Sequence, residues 1–289
     1  MEFHRLILFL YLPSPIFLSL ITNLEKIMVN ERELEIVRRF QRNVYGREPN
    51  TSGLNQNHDG RSGHWLETQM GVSHNANNEA DLLGYEMKNH TRIKTTFGDW
   101  SADYYIFKNN RNRESELSRN EFIRIFGKPN DQKGGRYSWS GEPIPTIQRP
   151  SSWNGSKMLI DEHDTIKIVY SYSRDPRLNK EQAVPICLQQ ENLILASWSR
   201  AWLEPKLTNK FGQNGWFKCL QDNNGIYCKI VFGEPMNFDN WLNLVRSGVI
   251  FFDSGMYVGN SRNYSLWRAN NSYWDSLVVR EYPPFPQED

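Results

Sequence analysis

Glu67, Asp81, Glu86 and Lys88 are the residues of this chain whose types and spacing could do chemistry together. Glu86 and Lys88 stand two positions apart, so on a strand their side chains share a face. Asp81 lies five residues before Glu86, and a turn at Gly84 would fold it back toward that carboxylate. Two carboxylates brought together repel each other unless a cation lies between them. Mg²⁺ suits such a pair: it is a hard ion held by a few carboxylates, it keeps several waters, and it accepts phosphate oxygens. The chemistry within reach is phosphodiester hydrolysis. The ion would neutralise the phosphate and lower the pKa of a water, and Lys88 would offset the charge of the pentavalent transition state. Glu67 could complete the metal shell or act through water. A strand carrying Glu-x-Lys on its solvent face has the same spacing, so the pattern alone does not fix a function.

The elements that must position these residues are partly visible. Asn30 is placed to cap a helix in which Leu34, Val37, Phe40 and Val44 recur at helical spacing, ending near Gly46. Residues 51–63 are rich in Gly, Asn and Ser and read as a loop, followed by a short helix over His64–Met70. Asp81–Asn89 reads as a strand pair or a bent strand turning near Gly84. Further strands are expected over Thr165–Tyr172, Gly225–Phe232 and Gly248–Asp253. Helices are expected over Arg119–Phe126, Leu193–Phe211 and Asn237–Arg246. Gly127–Ser156, rich in Gly, Pro, Ser and Trp, reads as a long loop or an irregular lobe. The mixture implies an α/β or α+β domain.

Composition narrows the class. The chain has 289 residues, 38% hydrophobic and 23% charged, which fits a globular protein with a sizeable core. Aromatics reach 13% with ten Trp, suited to an aromatic-rich core or to a binding surface. The net charge of +1 gives no global argument for a nucleic-acid partner. Local charge is uneven: Arg92 to Arg136 holds ten Lys/Arg against six Asp/Glu, as a phosphate-facing groove or a solvated surface would. Cys187, Cys219 and Cys228 make an odd set without a CxxC pair, and the six His show no HExxH. Neither a disulfide framework nor a zinc site is indicated, and a reducing cytoplasm fits. Leu6–Ile21 is apolar but short and broken by Pro13 and Pro15, so no membrane span is expected. Residues 1–27 read as a doubtful extension, with translation starting at Met28.

The run Gly63–Asn89, GHWLETQMGVSHNANNEADLLGYEMKN, resembles the active-site region of the PD-(D/E)xK nucleases. More narrowly it is similar to the branch that holds the mismatch-repair nicking enzyme MutH and the restriction enzymes MvaI, BcnI and LlaMI. In that branch an upstream helix carries a Glu, and an Asp precedes a Leu-Gly step and Glu-x-Lys. The resemblance implies that Asp81 and Glu86 bind Mg²⁺, that Lys88 is the catalytic lysine and that Glu67 assists. Ala80 stands where the motif's Pro would be, and the Asp-to-Glu spacing is tighter than in MutH. A second segment, Phe251–Trp274, resembles the C-terminal target-recognition portion of the MvaI- and LlaMI-like enzymes. There Arg262 and Arg268 could grip guanine edges or phosphates, Asn260, Asn263, Asn270 and Asn271 could serve bases or backbone, and Tyr264 and Trp267 could pack on sugars. A Gly/Asn-rich turn followed by a core-packed aromatic strand would look the same.

The resemblance implies a restriction-endonuclease-like core, a central mixed sheet flanked by helices, with a catalytic part over about 28–180 and a recognition part over about 181–289. It implies a Mg²⁺-dependent Type II restriction endonuclease acting on double-stranded DNA at a short CC-N-GG-like site and leaving 5′-phosphate and 3′-hydroxyl ends. A monomer partnered in its system by a cognate DNA methyltransferase is expected. Two alternatives stand beside it: a MutH-type repair nickase, and a non-catalytic protein that binds nucleic acid or sugar.

Overall fold

Apolar residues at helical spacing build the first element of the computed structural model, which describes residues 31–52, 61–72, 78–109 and 112–282. The apolar run Leu6–Ile21, Met28 and the expected cap Asn30 lie outside them. Helix α1 (31–43) buries Ile36, Val37 and Phe40, with Val44 just beyond. Leu34, expected in this stripe, is only half-buried, and Glu33 is buried instead. Its carboxylate accepts from Arg280 and from the Tyr282 hydroxyl, all at 2.9 Å, and so ties α1 to the end of the chain. α2 (Arg61–Met70) starts three residues before the expected His64 and buries Leu66 and Met70.

The expected bend is a two-residue turn. Leu82 and Tyr85 exchange backbone hydrogen bonds of 3.0 and 2.9 Å across Leu83 and Gly84, whose φ angles are 51° and 83°. Two positive-φ residues make the tight hairpin turn whose twist matches its strands. Glycine meets this without strain, and a Cβ at Gly84 would sit 2.6 Å from the Asn214 amide. β1 (Glu86–Asn89), β2 (Lys94–Asp99) and β3 (Tyr104–Tyr105) follow. α3 (Arg119–Phe126) forms where expected, opened by a capping box between Ser118 and Glu121.

The structure refines one expectation and overturns another. Gly127–Ser156 is not simply a loop: β4 (Lys128–Asn130) and β5 (Arg136–Trp139) form a hairpin in it, turning through the positive-φ pair Gly134 and Gly135. β6 (Lys157–Ile160), β7 (Ile166–Tyr170) and the short α4 (Lys180–Ala183) come next. Leu193–Phe211 is not one helix but β8 (Leu193–Trp198) followed by α5 (Arg200–Phe211). Its first six residues pair with β7, and Ser199 ends the strand in extended conformation, its N–H and hydroxyl both donating to Asp103. The remaining elements are β9 (Trp216–Gln221), β10 (Tyr227–Gly233), α6 (Phe238–Arg246), β11 (Ile250–Ser254), β12 (Met256–Tyr257), β13 (Ser265–Asn270), α7 (Asn271–Ser276) and β14 (Val278–Tyr282).

Among the described residues the strands make four sheets in a mixed α/β arrangement. The first, in order β1-β9-β10-β14, is mixed: β1 runs parallel to β9, and the other pairs are antiparallel. It takes one strand from before residue 180 and three from after it. The others are β11-β13-β2, β12-β5-β4 and β3-β8-β7-β6. On one face of the first sheet Met87, Phe217, Ile230 and Phe232 join α1 and α2 in a smaller core. On the other, Trp216 and Val231 join the main core, where Trp139, Trp198, Trp241, Trp267 and Trp274 are also buried. Glu86 and Lys88 pair in register with Trp216 and Lys218, so they belong to the face turned toward the aromatic core. Among the described residues no helix is long and apolar enough to cross a membrane.

Candidate active site

The structure brings Asp81, Glu86 and Lys88 together. From β1, an edge strand of its sheet, Lys88 Nζ reaches Glu86 Oε1 at 2.8 Å. It also lies 3.4 Å from the Phe97 carbonyl and 5.1 Å from the centre of the Phe211 ring. The Leu83-Gly84 turn folds Asp81 back onto β1, where its Oδ2 accepts from the Met87 N–H at 2.9 Å.

A residue the sequence did not signal completes the cluster. Lys210, in the last turn of α5, places its Nζ 2.8 Å from the same Glu86 Oε1. The end of α5 and the loop after it hold the whole segment 80–86. Ala80 N–H donates to the Asn209 carbonyl at 3.1 Å, and Asn214 donates to the Leu83 and Gly84 carbonyls at 2.8 and 3.0 Å. Glu86 N–H donates to the Gly215 carbonyl at 3.0 Å. These partners lie more than 120 residues along the chain, so no local pattern could announce them. Lys218, beside Lys88 on β9, is a second buried lysine the sequence reading passed over; burial holds its ammonium below the ordinary lysine range.

The electrostatics of the cluster are uneven. Burial, then repulsion from Glu86, pushes the Asp81 carboxyl up to about 6. Burial pushes the Glu86 carboxyl up as well, but Lys88 and Lys210 more than offset it and hold the group below its ordinary value. Burial lowers the Lys88 ammonium, and the Glu86 charge opposes that. Glu86 Oε1 thus serves two ammonium groups, whereas Glu86 Oε2 is buried without a hydrogen-bond partner. A buried carboxylate oxygen left bare costs free energy, on the order of 1–3 kcal/mol or more for a charged group. A buried carboxylate bare on one side and a half-buried one repelled by it fit the donor set of a hard divalent cation.

Among the described residues Glu67 does not join Asp81 and Glu86 in a group of three that could hold a metal ion. α2 packs its Leu66 and Met70 on the smaller core, against the sheet face away from Glu86 and Lys88. Glu67 lies 3.4 Å from His64 on the same helix. Among the described residues no three His, Cys, Asp or Glu side chains are grouped to hold a metal ion.

The second expected segment divides. Trp267 is fully buried against Trp198, Trp241 and Phe252, with ring centres 5.2–5.4 Å away, so it cannot pack on sugars. Alternation along β13 decides this: Ser265, Trp267 and Ala269 face the core, while Leu266 and Arg268 face out. Asn260 is buried too; its side chain closes the 255–260 turn on Tyr257 N–H and the Gly255 carbonyl. Asn271 is spent on Thr91 and Thr95. The arginines leave the core to different degrees: Arg262 is exposed and Arg268 half-buried. Arg268 lies 3.2 Å from Asp253, whose same oxygen also takes Lys94. Exposed Arg262 lies 3.0 Å from Asp99 and stacks on Tyr264 at 4.4 Å. Arg262 lines a cleft of about 560 Å³ with Asp99, Lys108, Arg119, Asn120 and Asn263. Lys108 and Arg119 come from the basic stretch between Arg92 and Arg136, the signal that could have found them.

Comparison with known proteins gives this geometry its context. Residues 45–282 match the family described as LlaMI restriction endonuclease. The chain is 52% identical over 266 residues to the Type II restriction enzyme ScrFI of Lactococcus lactis subsp. cremoris, covering 86% of this chain and 97% of that protein. Two solved structures of the restriction endonuclease MvaI are also similar. The complex with cognate DNA substrate has a TM-score of 0.49 at 14% identity, over 94% of this chain and 99% of that one. The form without DNA has a TM-score of 0.43 at 16% identity, over 88% and 98%. On the family match and the identity to ScrFI, the chain belongs to the LlaMI restriction endonuclease family.

Proposed function

We propose that this Type II restriction endonuclease hydrolyses double-stranded DNA at the Asp81–Glu86–Lys88 cluster, with Mg²⁺ held by Asp81 and Glu86. The observation that carries this is Glu86 Oε2, buried and bare beside a second carboxylate that its charge repels. When bound, the cation supplies positive charge to the scissile phosphate and lowers the pKa of a nearby water. Lys88 orients that water and meets the negative charge that grows on the phosphorus oxygens. The water gives up a proton to solvent as its oxygen bonds to phosphorus. The bond from phosphorus to the 3′ oxygen breaks, and that oxygen takes up a proton, leaving 5′-phosphate and 3′-hydroxyl ends. Lys88 is largely withdrawn from bulk water, against the Phe211 ring and the Phe97 carbonyl, so its charge acts at low dielectric.

The target we propose is a short GC-flanked site of the CC-N-GG kind. Arg262 with Asp99, and Arg268 with Asp253, are pairs with the chemistry of a G·C base pair: arginine donates to guanine, and a carboxylate accepts from the cytosine amine. Asn263 lines the cleft that holds Arg262, Tyr264 stacks on Arg262, and both are proposed to contact backbone. The enzyme is proposed to act as a cytoplasmic monomer, beside a methyltransferase that protects the same site. Digesting unmethylated phage DNA in Mg²⁺ and sequencing the fragment ends tests the proposal. One recurrent GC-flanked site is expected; no Mg²⁺-dependent cutting of any sequence would overturn it.

A further inference from the structure

Lys210 is the one member of the cluster that comes from outside the Asp81–Lys88 stretch, and its placement is costly. A lysine at the end of a helix ordinarily leans on the helix's own last carbonyls. Lys210 instead reaches Glu86 Oε1, which Lys88 already satisfies at the same 2.8 Å. Two ammonium groups on one oxygen repel each other, and the other Glu86 oxygen is left bare. Hydrogen bonding alone does not call for this arrangement; charge does. Asp81, Glu86, Lys88 and Lys210, with both carboxylates ionised, sum to zero. A phosphodiester brings one negative charge, and attack by deprotonated water brings a second. With one divalent cation bound, the sum at the transition state is again zero, but only with both lysines present.

We propose that Lys210 is a positioning residue that holds Glu86 and balances the charge of the site, opposing cation binding before DNA arrives and stabilising the doubly negative transition state. This rests on Asp81 and Glu86 being the cation ligands. Replacing Lys210 with an uncharged side chain therefore moves two quantities in opposite directions. The DNA-free site becomes net negative and binds a cation more tightly; the loaded transition state carries an unbalanced charge and forms more slowly. A lysine that merely braces the helix end would weaken both.

The test is Lys210→Met, with Lys210→Gln as a second uncharged variant in case the first fails to fold by circular dichroism. Calorimetric titration with Ca²⁺ in the absence of DNA is expected to show affinity tighter by about tenfold, the scale of one lost charge in a partly buried site. Plasmid cleavage in Mg²⁺, with enzyme in excess, is expected to slow by about tenfold or more. Lys210→Arg, which keeps the charge, is expected to restore both toward the parent values. Unchanged or weaker Ca²⁺ affinity in the uncharged variants overturns the inference, as does an unchanged cleavage rate. Glu86→Gln separates the two levels of argument: Ca²⁺ binding that survives it overturns the assignment of the ligands, whereas Ca²⁺ binding lost with Glu86→Gln but unmoved by Lys210→Met overturns the role of Lys210 alone.

Discussion

The 80–88 segment and the 251–274 segment both look functional in the sequence, and the structure treats them differently. In the first, three charged groups within eight residues converge, because a two-residue turn and a two-residue strand period both bring side chains to one place. In the second, neighbours in sequence go to opposite sides of β13: Trp267 enters the aromatic core and Arg268 stays outside. Convergence within a turn survives folding, whereas a cluster spread along a strand is split by it.

Removing one member from each segment separates the two most clearly. Lys88→Ala and Glu86→Ala are expected to slow cleavage by about a thousandfold or more, the scale of losing a transition-state charge partner. DNA binding in Ca²⁺, which tolerates looser coordination and activates water poorly, should be largely retained. A residual rate near that of the parent would return Glu-x-Lys to an ordinary strand pattern. In the second segment, Trp267→Ala is a folding variant. It empties a site bounded by Trp198, Trp241 and Phe252, and by the usual cost of large-to-small core changes should destabilise by about 3–5 kcal/mol in urea unfolding. A small stability change accompanied by a loss of DNA affinity would restore it to the DNA surface.

Arg268→Ala sharpens the outer face. If Arg268 reads a base, cleavage at the cognate site should fall by about 1–3 kcal/mol of discrimination, roughly ten- to a hundredfold, while binding to unrelated DNA barely moves. Equal loss of both, measured by competition at fixed salt, would make it a phosphate contact. Asp253 complicates the variant, because it also holds Lys94. Asp253→Asn is the companion that shows whether the pair acts together.

What was legible follows the range of the interaction. Elements defined by local signals came through: α3 with its Ser118–Glu121 capping box, α6 behind Asn237, and the turn at Gly84. Leu193–Phe211 misled because an apolar run feeding a helix keeps helical spacing by chance, and only pairing with β7 makes its first half a strand. β9 carries no local signal although it lies inside the first sheet, beside β1; its burial on both faces leaves no alternation to read. Glu67 was carried by resemblance to an upstream helix, but α2 spends its apolar face on the far side of the sheet. Lys210 was illegible in principle. Its partner is 124 residues away, and a lone lysine at a helix end has the commonest of surface explanations.

The smallest effect concerns the charge that makes the first segment unlike the second. Asp81 ionises at an ordinary value of 3.8 when unfolded but near about 6 in the folded protein. A folded value above the unfolded one means that the metal-free fold gains from holding the proton. That gain is full below 3.8 and is lost as pH rises through about 6. Asp81→Asn keeps an acceptor for the Met87 N–H and never ionises, so it escapes the loss. The metal-free variant is therefore expected to unfold at higher temperature than the parent above pH 7, by about 1–2 kcal/mol of stability, and near parity at pH 4. Adding Ca²⁺ should reverse the order at pH 7.5, since the parent gains a ligand-bound state that the variant binds weakly. A variant no more stable than the parent at pH 7.5 without metal would mean that neither burial nor Glu86 strains the ionised Asp81, and the distinction between the two segments would rest on geometry alone.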